Sequence, residues 1–177
     1  MVKTRLAHTI GDKKALEIYE TLRQHTARVA DKVHAERQVF FSRFIPSSDL
    51  FLTGNFSTRL QDGADLGERM LHAIKSGFES GFHYVVLIGT DCYELNTAIL
   101  DDAFSVLERA DAVIGPAKDG GFYLIGMKRA IPELFLDRQW STPDVLRDTL
   151  AIFKKLDTTY ELLVELSDID TLSLIHI

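Results

Sequence analysis

The segment His83–Ile88, HYVVLI, is an unbroken apolar run with helical periodicity on either side of it. A strand with no polar face has to be covered on both faces, and the flanking stretches can supply the covers. Upstream, Leu66, Met70, Ile74 and Phe78 recur every four residues, and Gly77 and Gly81 close that helix. Downstream, a helix over Thr97 to Arg109 turns Leu100, Ala103, Phe104 and Leu107 to one side. The pattern repeats along the chain. A helix is predicted from Asp12 to Val33, then strands over Gln38 to Phe44 and Phe56 to Leu60. DAVIGPA and GFYLIGM are strands joined by the turn sequence KDGG. Ser141-Thr142-Pro143-Asp144 opens the last long helix with proline at its first position, and Tyr160 to Leu166 is the final strand. Strands alternating with amphipathic helices define an α/β fold: a mostly parallel sheet with helices on both faces.

Composition narrows the function. The chain has 177 residues, enough for one domain with an ordinary core. Its net charge of -6 argues against nucleic acid, which needs a basic face to neutralise phosphates. One cysteine excludes an internal disulfide. No apolar stretch approaches the length of a membrane span, and the cytoplasm is the expected compartment.

The chemistry-bearing residues gather at strand ends. Asp91 follows the apolar strand and Gly89 at once, where open α/β sheets collect their ligands. A hard cation such as Mg²⁺ favours carboxylate and phosphate oxygens, so Asp91 is a candidate metal ligand; capping the helix near Asn96 is the plainer alternative. Asp168 and Asp170 in LSDIDT also follow a strand and could meet Asp91 on one ion, or could cap a helix. Lys3 and Arg5 lie two apart, so an extended segment would aim both at a diphosphate; solvated surface charge is the alternative. Asp119, Gly120 and Gly121 form a turn whose bare backbone would also let a sugar or acceptor approach. Ser141 and Thr142 cap a helix or receive an anion. Cys92 has no nearby histidine to act as its base, the histidines show no zinc spacing, and Trp140 reads as a packing anchor.

Both termini depart from an α/β nucleotide-binding domain. MVKTRLAH runs straight into a helix where a first strand and phosphate loop are expected, which predicts an N-terminal truncation of a domain covering residues 1–171. LSLIHI, Leu172 to Ile177, is what CTG TCT CTT ATA CAC ATC encodes, the end of a sequencing-library transposon adapter. It is expected to be read-through.

VKTRL, QDGADLGERM, VVLIGTDCYEL, DAVIGPAKDGGFYLIGM, WSTPDVL and LSDIDT occur in that order from Val2 to Thr171. Together they resemble the glycosyltransferase-like family of bacteria and archaea that includes the arsenosugar-biosynthesis glycosyltransferases. That family is related to the molybdenum-cofactor and phospholactate nucleotidyltransferases. The resemblance implies the GT-A, or nucleotide-diphospho-sugar transferase, fold: a Rossmann-like three-layer α/β/α sandwich. Members usually carry a first strand and a Pro-Gly loop before VKTRL, both absent here, and proline where this chain has Tyr93.

By resemblance, Asp91 binds the metal, Asp170 is a second metal or diphosphate contact, and Asp168 is a further one. Lys3 and Arg5 face the phosphates, and Asp65, Leu66 and Gly67 lie near the base and ribose. Asp119, Gly120 and Gly121 border the acceptor. The implied activity is Mg²⁺- or Mn²⁺-dependent glycosyl transfer from a nucleotide sugar to a small-molecule acceptor, with Asp119 a candidate base. Nucleotidyl transfer from an NTP, releasing pyrophosphate, is the alternative, and an inactive nucleotide-binding fragment is a third reading.

Overall fold

The computed structural model of the chain describes residues 4–169. In order these form α1 (Thr4–Ile10), α2 (Asp12–Ala30), β1 (Arg37–Phe41), β2 (Phe56–Leu60), α3 (Leu66–Glu79), β3 (Val85–Ile88), α4 (Thr97–Arg109), β4 (Ala112–Pro116), β5 (Phe122–Met127), α5 (Val145–Lys155) and β6 (Tyr160–Leu162). Two short 3₁₀ turns, Leu50–Leu52 and Pro132–Leu134, lie between them. Asp170 and the 172–177 tail fall outside the described residues, as does Lys3.

The strands form two sheets. β1 and β2 pair in parallel, and a four-stranded sheet runs β3-β5-β4-β6. In it β4 and β6 are parallel, while β5 runs antiparallel to both β3 and β4. The β4–β5 hairpin follows from the KDGG turn, which is too short for a parallel crossover.

Strand periodicity sorts the core into two layers. Val113, Leu124, Val86 and Ile88 face one way, against Ile99, Leu100, Ala103 and Leu107 of α4 and Val29 at the end of α2. Their alternates Ala112, Ile114, Ile125, Met127, Val85 and Leu87 face Leu71 and Ile74 of α3 and Phe153 of α5. Helices therefore cover both faces of the four-stranded sheet, giving the expected three-layer α/β/α arrangement.

Several expected boundaries hold. β2 and α4 match in full, and α3 begins where the QDGAD loop meets its helix. Others shift. The segment Thr4–Ile10, which carries Arg5, is helical and not extended as the Lys3–Arg5 reading expected. α5 starts at Val145, leaving Pro143 in the turn before it. Ser141 takes a left-handed backbone, φ 61°, which interrupts a helix at that point. β6 is cut to three residues, and the strand resumes as isolated bridges from Leu166 and Asp168.

Candidate functional site

The carboxyl end of β3 and the segment after β6 meet. Past Ile88 the Gly89 N–H still donates to Tyr123 O of β5 at 3.1 Å, and beyond it the chain leaves the sheet and exposes Asp91 in part. Cys92 bridges antiparallel to Asp168, and the Ile169 N–H donates to the Asp91 carbonyl at 2.9 Å. Asp91 and Asp168 therefore sit on adjacent stretches of backbone, although they lie far apart in the sequence. The Ser167 N–H donates to Glu94 Oε2 at 2.7 Å, a second tie between the two segments.

The turn after β4 joins the same end. Leu166 donates its N–H to Pro116 O and accepts from the Lys118 N–H, both at 3.0 Å. Asp119 Oδ1 accepts from the Gly121 N–H at 2.9 Å, so its carboxylate shapes its own turn. Gly120 has φ 88°, and a Cβ there would overlap the Pro143 carbonyl. Its carbonyl accepts from the Leu146 N–H at 2.8 Å. The bare backbone at Gly120 thus lets the turn lie on Pro143, in the loop before α5.

That loop continues the wall to α3. Trp140 packs edge-on to Phe122 and stacks on Phe135, with the Arg138 guanidinium 4.9 Å over its ring. Arg138 is fixed by donating to Leu134 O, Thr149 Oγ1 and Val145 O. Burial lowers its basicity from the usual arginine value, partly offset by Asp148. A Cβ on Gly67 would overlap Phe135 O and crowd Trp140 Nε1. Gly67 is therefore glycine for close packing, and it brings the start of α3 against the loop. Asp65 caps that helix by accepting from the Glu68 N–H at 2.9 Å, while Glu68 reaches back past the cap to accept from the Ala64 N–H at 2.7 Å. Leu66 stays half-exposed beside it.

The neighbours of Asp91 are held in turn. His25 Nε2 lies 2.7 Å from Leu95 O, and its ring packs on Tyr93 at 4.6 Å. The Tyr93 ring thus helps to hold the loop against α2 at the position where proline was expected. Cys92 is only 1% exposed, and burial, with Asp168 close by, pushes its thiol up to about 11. A protonated, enclosed thiol is no nucleophile.

The fold brings Asp91 beside Asp168 on joined backbone segments, sets the Asp119–Gly121 turn against Pro143 and Leu146, just after Ser141 and Thr142, and sets Gly67 beside that loop. Sequence reasoning missed the ties of Glu94 to Ser167 and of His25 to Leu95, whose partners are distant in sequence. It also missed Arg138, whose partners Leu134, Val145 and Thr149 are near in sequence but meet only once the loop before α5 has folded. Among the described residues no three His, Cys, Asp or Glu side chains form a group that could hold a metal. Two carboxylates on joined segments are the donors present, and their oxygens suit a hard cation.

A family model described as "Uncharacterized protein conserved in bacteria (DUF2064)" matches residues 22–142. The chain belongs to this family. Members of the wider fold resemble it across almost its whole length. A solved structure from Desulfovibrio desulfuricans G20, given the provisional description nucleotide-diphospho-sugar transferase, is 32% identical with a TM-score of 0.87. It covers 96% of this chain, which spans 76% of that one. A CMP:2-keto-3-deoxy-manno-octonic acid synthetase complexed with CTP matches at TM-score 0.54 and 10% identity, over 86% of this chain and 83% of its own. The second likeness is one of fold alone. No curated protein matches the sequence. The family member thus has the Rossmann-like nucleotide-diphospho-sugar transferase fold, and among its described residues no helix is long and apolar enough to cross a membrane.

Proposed function

We propose that this chain is a metal-dependent glycosyltransferase that uses a nucleotide-sugar donor, in line with the resemblance to arsenosugar-type glycosyltransferases. The observation that carries the reading is the junction of Asp91 with the 168–169 segment through the Ile169 N–H and the Cys92–Asp168 bridge. Two acidic chain segments are joined at the ligand-collecting end of a sheet shared with a 32%-identical solved structure described as a nucleotide-diphospho-sugar transferase.

Asp91 and Asp168 would hold Mg²⁺ or Mn²⁺, with Asp170 a further candidate. Bound there, the ion would supply charge neutralisation for a departing diphosphate. The chain's own residues do the rest. Lys3 and Arg5 would share the phosphate charge. Asp65, Leu66 and Gly67, packed against the Trp140 loop, would border the base and ribose. Gly120, Gly121, Ser141 and Thr142 would form the acceptor wall, and Asp119 would take the acceptor proton once freed from the Gly121 N–H. Exclusion of water falls to the half-exposed Leu66 and Tyr93 at the rim.

The fold shared with a CTP-binding synthetase keeps nucleotidyl transfer as the second reading, since one phosphate cradle serves either reaction. The released product separates them: a nucleoside diphosphate for glycosyl transfer, pyrophosphate for nucleotidyl transfer. A thermal-shift panel of nucleotide sugars and nucleoside triphosphates with Mg²⁺ tests both. At saturating ligand the expected stabilisation is about 2–3 kcal/mol, several degrees in Tm, and Asp91→Ala abolishes the Mg²⁺-dependent part. No shift with any nucleotide, or one that survives Asp91→Ala unchanged, overturns the reading.

A further inference from the structure

Glu94 reaches across the site to a backbone amide far away in sequence. Its Oε2 accepts from the Ser167 N–H at 2.7 Å, in an exposed position. The amides around Ser167 divide their bonds between two walls. Leu166 is bonded to Pro116 and Lys118 at the end of β4, while Ile169 is bonded to Asp91. Those ties run backbone to backbone. Glu94 adds a side-chain tie from the Asp91 turn, one residue before Asp168.

Placing a third carboxylate beside two others is electrostatically unfavourable, and the Glu94 charge is felt at Cys92. A charge-assisted bond to a backbone N–H offsets that repulsion. The bond is also geometrically specific, because it fixes the one segment whose distance from Asp91 determines whether two carboxylates can share an ion. Glu94 is not grouped with Asp91 and Asp168 in a three-ligand cluster. Its bond is to a protein amide.

We propose that Glu94 is a positioning residue: a latch that holds the Ser167–Ile169 segment at the separation from Asp91 at which the acidic pair takes up a divalent cation. The proposal rests on the metal reading of Asp91 given above, and its test separates the two.

Mn²⁺ binding to the whole protein, followed by loss of the free-ion EPR signal, is measured for wild type, Glu94→Ala, Glu94→Gln and Asp91→Ala. Amide exchange at Ser167 is followed by NMR in the same proteins without metal. Outer-sphere residues commonly contribute about 10–100-fold to metal affinity, so Glu94→Ala should weaken Mn²⁺ by roughly 10-fold or more and speed exchange at Ser167. Glu94→Gln keeps a carbonyl acceptor at the same reach and should restore both to within about 3-fold of wild type, the size of change expected when one neutral acceptor replaces a charged one. If Glu94→Ala fails to fold, Glu94→Asp, too short to reach Ser167, takes its place.

Unchanged Mn²⁺ affinity in Glu94→Ala overturns the latch. So does a Glu94→Gln protein as weak as Glu94→Ala, since that would make the charge and not the bond the active element. If wild type takes up no Mn²⁺, or Asp91→Ala binds it as well as wild type, the metal reading and the proposal resting on it both fail. Exchange at Ser167 then still shows whether the Glu94 tie itself exists.

Discussion

The two sheets of this protein end in different states. β4, AVIGP, is buried at every position, whereas β1, RQVFF, is half-exposed throughout. The difference lies in neighbours. β4 has β5 on one edge and β6 on the other, with helices over both faces. Among the described residues β1 pairs with β2 alone, and β3 with β5 alone. β3, although it reads VVLI, is half-exposed as well. An apolar strand is thus enclosed according to how many of its edges and faces are covered, and composition does not decide it. The open edges of β1 and β3 also leave backbone groups to water that a central strand would bond.

The largest effect expected from this contrast is in the cores. Ile125→Ala, at a site enclosed from all sides, should cost about 2–5 kcal/mol. Val39→Ala, half-exposed on β1, should cost about 1 kcal/mol or less. Denaturant melts of both variants check this, and equal costs would break the comparison. Next comes the tip of the larger sheet. Gly120→Ala forces a side chain into a left-handed backbone and against the Pro143 carbonyl, a cost of about 1–3 kcal/mol. Gly89→Ala has open space and should leave Tm unchanged. A tip that tolerated Gly120→Ala would be as loose as the smaller sheet.

The smallest effect concerns the edge strand β6. Asp111 Oδ2 accepts from the Thr159 hydroxyl at 2.6 Å and from the Thr159 N–H at 3.0 Å, which hold its carboxyl below the usual range. A carboxyl whose folded value is depressed stabilises the protein above its unfolded value, near pH 4, and loses that contribution as pH falls through the folded value. Asp111 is largely exposed, so solvent screening keeps the contribution under about 0.5 kcal/mol. Asp111→Ala should lower Tm slightly at pH 7, and the difference should shrink as pH falls below about 4. A difference that stays constant as pH is lowered would assign the effect to something other than the charged bond.

Much of this architecture was readable from periodicity. The four-residue spacing in α3 and the helical-face pattern in α4, with the apolar runs on either side of KDGG for β4 and β5, are local signals, and they located those elements. The meeting of Asp91 with the segment after β6 was also legible, because both acids follow strands and strand ends gather on one side of an α/β sheet. What escaped was non-local or depended on backbone conformation. Nothing near Glu94 in sequence announces Ser167, and nothing near Gly67 announces Trp140. The positive φ of Ser141 delayed α5 past a proline that reads as a helix start. α1 went unseen because MVKTRLAH is too short to show a period.

Trp140, wedged between Phe135 and Arg138 and crowded by Gly67, is the single tryptophan of the chain. Its ultraviolet emission therefore comes from one joint, where the start of α3 meets the loop before α5. Any occupant that moves that joint will alter the brightness or colour of the whole protein's intrinsic fluorescence. No label is needed to watch it arrive.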